Sequence, residues 1–445
     1  MSLRSLSLTQ LFNLRKLEIH NCTNVIPVLK SNSIQTLIIQ NCGIASADLY
    51  LENLEVLSLC HNELLQIKLN CPKLKDLNVS YNKNILSIWQ LSENKSLTKL
   101  QCQDGHTLSG LQTMINLQFL DMSKNLRVDI SQISHLTHLT QLGLFGCKLK
   151  NIEGLQSLTL LIELYMSSNI GLDISPIKQL VNLQKLHLSC CQFSNTQHLQ
   201  YLTNLEELDL SFNENIDIST VKYLVKLKHI DLNGCKLKDV ATLSTLTNLN
   251  TIMLQSSLIR DFMCLKQLVN WKTLQNSNNV VVNIAQLQNY SHIKWLYLDS
   301  CNIFEISALR SLNSLLTLDL STNNIVSLGP LKNLKQLTDL NVENNYVSDF
   351  HPIEQHPNFE LYQIENQNQA SLQIIKLDDN MQLIDNAIIQ LRKTQFNRRI
   401  WIDTKSVILQ MTIFQHIQLL QQQHQAFMNK CCFYFNILNS LENFQ

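Results

Sequence analysis

Glycine and proline are scarce, at 9 and 6 of 445 residues. So thin a supply excludes a collagenous or linker-rich chain and leaves little material for the glycine-rich loops that cradle phosphates. Charge of neither sign is in excess: 35 Lys and Arg face 35 Asp and Glu, a formal net charge of +0. No global field therefore draws the chain to nucleic acid or to an anionic membrane, and neither is expected as a partner. Nowhere do about eighteen apolar residues run together, which excludes a membrane-spanning helix. The opening MSLRSLSLTQLFNLRKLEIH has no uninterrupted apolar core of signal-peptide type. Catalytic signatures are missing as well: there is no P-loop, G-x-S-x-G, H-E-x-x-H or kinase-type set. No C-x-x-C occurs, and Cys190-Cys191 and Cys431-Cys432 lack zinc-ligand spacing. We expect no enzyme activity, no metal and no cofactor.

What the chain has is period. Residues 139–248 divide into five 22-residue lines: LTQLGLFGCKLKNIEGLQSLTL, LIELYMSSNIGLDISPIKQLVN, LQKLHLSCCQFSNTQHLQYLTN, LEELDLSFNENIDISTVKYLVK and LKHIDLNGCKLKDVATLSTLTN. Every line has an aliphatic residue or Met at positions 1, 4 and 6, and Asn or Cys at 9. An apolar residue follows at 11 or 12, and aliphatics recur at 17 and 20. Position 14 is Ile or Val in four lines and Thr196 in the third. The frame starts at residues 14, 34, 54, 74, 97 and 117, then every 22 residues from 139 to 359.

Positions 3 to 6 alternate out-in-out-in, the two-residue period of a strand with one buried face. Seventeen such strands stacked in parallel at about 4.8 Å give a sheet on the order of 80 Å along its curved axis. The return limb, apolar at 11 or 12, 14, 17 and 20, is too short for a long helix and should form 3₁₀ turns or short helices on the convex side. The expected fold is thus an α/β solenoid, a curved right-handed coil with the parallel sheet on its concave face. One repeat cannot offset its backbone entropy, whereas a stack can. At position 9 the Asn amide (Asn62, Asn125, Asn169, Asn213, Asn323, Asn345) can satisfy buried backbone groups that Cys serves only weakly. Cys22, Cys42, Cys147, Cys191, Cys235 and Cys301 hold that position elsewhere. A residue interchangeable with Asn is not a disulfide framework; with 13 Cys, an odd number, we expect buried reduced thiols in a cytoplasmic or nuclear protein.

Within the period lies a second one of 44 residues: Asn125, Asn169 and Asn213 alternate with Cys147, Cys191 and Cys235. It fails where Ser257 and Asn279 take position 9 and Asn276 replaces the apolar residue at position 6. An amide pointing into the core costs about 1–3 kcal/mol without partners, so a distorted strand or a kink is expected there.

The organisation follows. Residues 1–13 hold a partial repeat or ragged N-terminal cap, and 14–366 the solenoid. Residues 367–392, with Ile374, Leu377, Met381, Ile384, Ile388 and Leu391 at 3-4-3-4-3 spacing, read as a helix capping the last strand edge. Residues 393–445 form a basic, Gln-rich tail, helical or disordered, with coiled-coil character that would permit weak self-association. His351, Glu354 and His356 are the one tempting metal cluster, but two prolines interrupt the helix that would align the imidazoles, and a solvated loop is the reading.

Function then rests on the concave face, positions 3, 5, 7 and 8. Exposed aromatics on a rigid sheet anchor interfaces, and acids dominate the charge there. The residues expected to contact a partner are Phe119, Asp121, Phe145, Tyr165, His187, Asp209, Phe212, Asp231, Trp295, Tyr297, Asp319 and Asp339. The expected partner is a protein with a basic, helical or extended surface.

The lines LxxLxLSxNxIxDIxxLxxLxx resemble the short-repeat leucine-rich class, as found in the protein phosphatase 1 regulatory subunit family and bacterial internalins. The Asn- and Gln-rich composition and basic tail look like the leucine-rich families of unicellular protists. The resemblance covers about residues 3 to 366 and implies a curved solenoid that engages proteins through its concave side, with no catalytic residues. It implies a non-catalytic scaffold, with a phosphatase regulatory subunit or a secreted internalin-like adhesion factor as alternatives. The tail has no counterpart in the phosphatase-regulator pattern.

Overall fold

The computed structural model describes residues 13–363, apart from 23–27, 84–93, 106–110, 127, 195, 238, 260–261, 280–283 and 355–360. Within them a strand begins at position 3 of each repeat frame, from Lys16–His20 to Leu361–Gln363. The strands pair in parallel in chain order as one 17-stranded sheet. The register is position to position: Leu142 pairs with Leu164, Leu164 with Leu186, and Leu186 with Leu208. Burial follows the period of two, as in Glu163–Tyr165, where buried Leu164 lies between two half-buried neighbours. One continuous aliphatic core runs from Leu29 to Ile353 between the sheet and the return limbs.

From Leu111–Thr113 onward the return limbs contain 3₁₀ helices such as Glu153–Ser157, Ser175–Gln179 and Gln197–Tyr201. The repeats starting at 14, 34 and 54 differ from the expected 3₁₀ limb. Their limbs are the strands Val28–Ser31, Ser46–Leu51 and Gln66–Asn70, paired in a second, three-stranded parallel sheet. Repeat length alone does not set this, since the repeat starting at 97 is also 20 residues long and carries the 3₁₀ helix Leu111–Thr113.

Position 9 ties each rung to the one before it. Asn213 is fully buried; its Nδ2 donates to Leu210 O at 2.8 Å and to Leu188 O of the preceding repeat at 2.9 Å. Its Oδ1 accepts from Cys191 N at 3.0 Å. Asn62, Asn169 and Asn323 repeat this pattern. Cys at the same position keeps only part of it: Cys235 Sγ donates to Leu210 O at 3.1 Å, and Cys147 Sγ to Met122 O at 3.2 Å. All the cysteines described are free thiols, and burial pushes Cys147, Cys191, Cys235 and Cys301 up to about 11. A second amide ladder, not anticipated from the sequence, runs along position 22. There Asn182, Asn204, Asn248 and Asn270 each donate to a carbonyl of the preceding repeat at 2.8–2.9 Å.

Two expectations are corrected. The strand Thr273–Gln275 keeps full register with both neighbours, so no kink marks Asn276. The reason is a local pairing: Asn279 Nδ2 donates to Asn276 Oδ1 at 2.9 Å. Asn276 Nδ2 and Asn279 Oδ1 have no partner among the described residues. His351–Glu354 is one helical turn rather than a loop, since proline is tolerated in a first turn. His356 lies outside the described residues, and among those described no group of three or more His, Cys, Asp or Glu is arranged to hold a metal. Also outside them lie residues 1–12, the expected capping helix 367–392 and the tail 393–445 with its expected self-association.

Candidate interaction surface

Side chains at positions 3, 5, 7 and 8 leave the sheet on the side opposite the core. Position 8 is where the chain turns off the strand, and it does so with left-handed backbone in repeat after repeat, from Asn21 (φ +56°) to Asn344 (φ +54°). The sequence expected to contact a partner falls on this surface in three groups rather than one.

The first group is Phe119, Asp121 and Phe145. Lys99 Nζ lies 5.3 Å from the Phe119 ring centroid and 3.0 Å from Asp76 Oδ2. Asp121 leans across its neighbour strand, where a Cβ on Gly143 would sit 2.5 Å from Asp121 Oδ1 and make that carboxylate shift. Gln103 Nε2 donates to Asp121 Oδ2. Phe145 is 41% exposed.

The second group is denser. Tyr165 OH donates to Glu163 Oε2 at 2.8 Å, and Glu163 Oε1 meets Lys185 Nζ at 3.1 Å. Burial first, and the Glu163 carboxylate next, raise the Tyr165 phenol above its ordinary range. The Tyr165 and His187 rings meet edge to face at 4.8 Å. His187 Nε2 is 2.8 Å from Glu207 Oε1, and its Nδ1 is 3.8 Å from Asp209 Oδ2. Asp231 follows on the next strand, with Phe212 beside it at 57% exposure. Glu163, Lys185 and Glu207, charged members of the face outside the expected contact residues, knit this group together.

Trp295, Tyr297, Asp319 and Asp339 make the third group. Asn341 Nδ2 donates to Asp319 Oδ2 at 3.2 Å, and Thr338 Oγ1 to Asp339 Oδ2 at 2.8 Å. Burial, then Asp319 and Asp339, raise the Tyr297 phenol. The uncharged Thr251, Met253, Thr273 and Gln275 separate this group from the second.

The acids at position 5 have a structural duty as well. Asp121, Asp209, Asp231 and Asp319 each accept the N–H two residues on at 2.9–3.0 Å, which caps the turn leaving the strand. The signal for this is Asp-x-Ser or Asp-x-Asn in the sequence. One carboxylate oxygen is used in this way, and the other is left for a second contact. Charge on the surface is uneven along the array. In the first six repeats Lys16, Lys99 and Lys124 face Glu18, Asp76, Asp104 and Asp121. In the repeats starting at 139 to 337, Glu163, Glu207, Asp209, Asp231, Asp299, Asp319, Asp339 and Glu343 face Lys185 alone.

No protein-family model and no curated protein matches the chain. Among solved structures, an internalin of Listeria monocytogenes superposes over 62% of this chain and 83% of its own, at 25% identity and a TM-score of 0.57. A leucine-rich repeat protein of Leptospira interrogans covers 80% of this chain and 95% of its own, at 20% identity and a TM-score of 0.61. TLR13, in its complex with ssRNA13, covers 80% of this chain over 61% of its own, also at 20% identity and a TM-score of 0.61. With the parallel 17-stranded sheet and its 3₁₀ return limbs, they identify the architecture as a leucine-rich repeat solenoid.

Proposed function

We propose that this leucine-rich repeat solenoid is a non-catalytic scaffold that captures a protein partner on its concave face, and that the partner presents a basic, helical or extended surface. The observation that carries the reading is the acid excess from residue 139 onward, eight carboxylates against Lys185, interleaved with the exposed rings of Phe145 and Phe212. Opposite charge steers encounter and fixes orientation, while desolvated aromatics supply most of the affinity. The contact residues are those of the three groups, with the second as the centre. Free thiols throughout the described residues suit a reducing compartment, and cytoplasm or nucleus is the proposed location.

The test is affinity capture from cell extract with the parent chain and a Phe145→Ala, Tyr165→Ala, Asp209→Lys variant. The variant should keep its circular dichroism and lose the partner by at least tenfold, and the parent's capture should weaken steeply between about 50 and 500 mM salt. Undiminished capture by the variant would move the contact surface elsewhere. The likeness to an internalin supports a second reading, a secreted adhesion factor; recovery of the protein from culture medium would favour it over the intracellular scaffold.

A further inference from the structure

The acidic face has a chemical complement in the same chain. Residues 392–405, RKTQFNRRIWIDTK, carry Arg392, Lys393, Arg398, Arg399 and Lys405 against Asp403 alone, with Phe396 and Trp401 among them. They lie outside the described residues, and their chemistry is read from the sequence. We propose that this segment is an intramolecular ligand of the acidic face between the strands Glu207–Asp209 and Asp339–Asn341, and that it holds the face until a basic partner displaces it. The inference rests on the concave face being the docking surface.

Reach permits it for a helical or an extended intervening chain. Between the last described strand, Leu361–Gln363, and the strand Glu207–Asp209 lie seven strand steps, about 34 Å at about 4.8 Å each. The 29 residues from Gln363 to Arg392 cover about 43 Å as a continuous helix and about 100 Å when extended. Tethering raises the local concentration of such a segment to roughly the millimolar range, so modest intrinsic affinity suffices for occupancy.

The chemistry matches on both terms. Arg side chains pair bidentately with carboxylates and stack on aromatic faces. The face offers carboxylates at Asp209, Asp231, Asp319 and Asp339 beside Phe212 and Trp295, and Lys185 is the sole lysine on its positions from residue 139 to 344. A chain with no net charge thus keeps its acid excess on one surface and a basic excess in one short segment. Docking would neutralise both, and high salt would release them.

The experiment is zero-length carbodiimide coupling on the full chain, using an equal mixture of unlabelled and nitrogen-15-labelled protein at about 50 mM salt. Lys393 and Lys405 should couple to Glu207, Asp299 or Asp319, within single-isotope pairs. The yield should fall at least fivefold at about 500 mM salt and in an Asp209→Lys, Asp231→Lys variant. A second variant, Asp319→Lys, guards against misfolding of the first. Coupling only to other surfaces, mixed-isotope pairs or insensitivity to both variants would overturn the proposal. A synthetic peptide of residues 392–405 added to an Arg392→Glu, Arg398→Glu, Arg399→Glu chain separates the two ideas. If the peptide binds the acidic face while the parent shows no internal coupling, the segment is not the ligand and the docking surface stands. If neither occurs, both readings fall.

Discussion

Asp209 and Asp231 sit opposite each other on neighbouring parallel strands, paired in register at position 5. Like charges directly opposite destabilise a sheet, and the Asp231 carboxyl registers that cost. Burial first, then the charge of Asp209, push the Asp231 carboxyl up to about 6, against the pull of the Asn233 N–H that it accepts at 2.9 Å.

The sign of the consequence is fixed by linkage. A carboxyl whose folded value is raised above its ordinary 3.8 contributes stability that is fully present below that value and is lost as pH rises through about 6. Asp231→Asn keeps an oxygen for the Asn233 N–H and removes the charge. The variant should exceed the parent by about 1–2 kcal/mol at pH 7.5, after discounting for partial exposure, and match it near pH 4. Urea melts at the two pH values measure this; equal stability at both would mean that Asp231 is no more strained than a surface acid.

The Asn213 amide makes a graded prediction possible. It donates to three carbonyls and accepts one N–H in a fully buried site, so Asn213→Ala should cost about 2–4 kcal/mol. Asn213→Cys retains a weak donor of the kind Cys235 uses toward Leu210 O, and should cost clearly less than alanine. Equal losses in urea midpoints would show that the thiol contributes volume only.

Asn276 should behave in the opposite way. Its Nδ2 is buried without a partner among the described residues, and only Asn279 meets its oxygen. Asn276→Leu restores the aliphatic residue found at the same position in Leu254 and Leu298, and Asn279 keeps its bonds to Leu254 O and Asn276 O. A gain of about 1–3 kcal/mol is expected by thermal or urea melting. A loss would mean that the amide is held by something the side chain at 276 alone cannot reveal.

The strand register was legible because burial enforces it: a slip of one residue would turn Leu164 or Leu186 out of the core, so the period alone fixes which side chains share a face. The left-handed turn at position 8 was not read, although Gly146 and Gly234 mark it, because Asn, Ser, Lys and Phe212 occupy it elsewhere and blur the glycine signal. The convex sheet of the first repeats escaped for a similar reason. Segments such as SADLYL and QIKLN are too short to separate strand from 3₁₀ by pattern. On the surface, the sequence located the aromatics and acids, but not that Asp209 and Asp231 cap their own turns, nor that Glu163, Lys185 and Glu207 bridge the central group. The caps are local, signalled by Asp-x-Ser and Asp-x-Asn, whereas the bridges depend on which neighbours the register supplies.

Phe212 offers a way to tell a contact residue from a structural one. Its backbone is left-handed at φ +56° and its side chain 57% exposed, a conformation that costs an ordinary L-residue about 1–2 kcal/mol. Glycine holds the same position in the next repeat, at φ +66° for Gly234. The ring depends on that glycine, since a Cβ on Gly234 would come 2.7 Å from Phe212 Cδ1. Phe212→Gly removes the backbone penalty but adds the unfolded-state entropy of glycine, leaving a net gain of about 0.5–1 kcal/mol. An exposed ring that serves the fold would show the reverse, a loss of stability on truncation. Melting curves and partner capture on the same variant should therefore move in opposite directions, stability up and capture down at least fivefold. If both fall together, Phe212 is packing and not interface, and the aromatic contact passes to Phe145 and Tyr165.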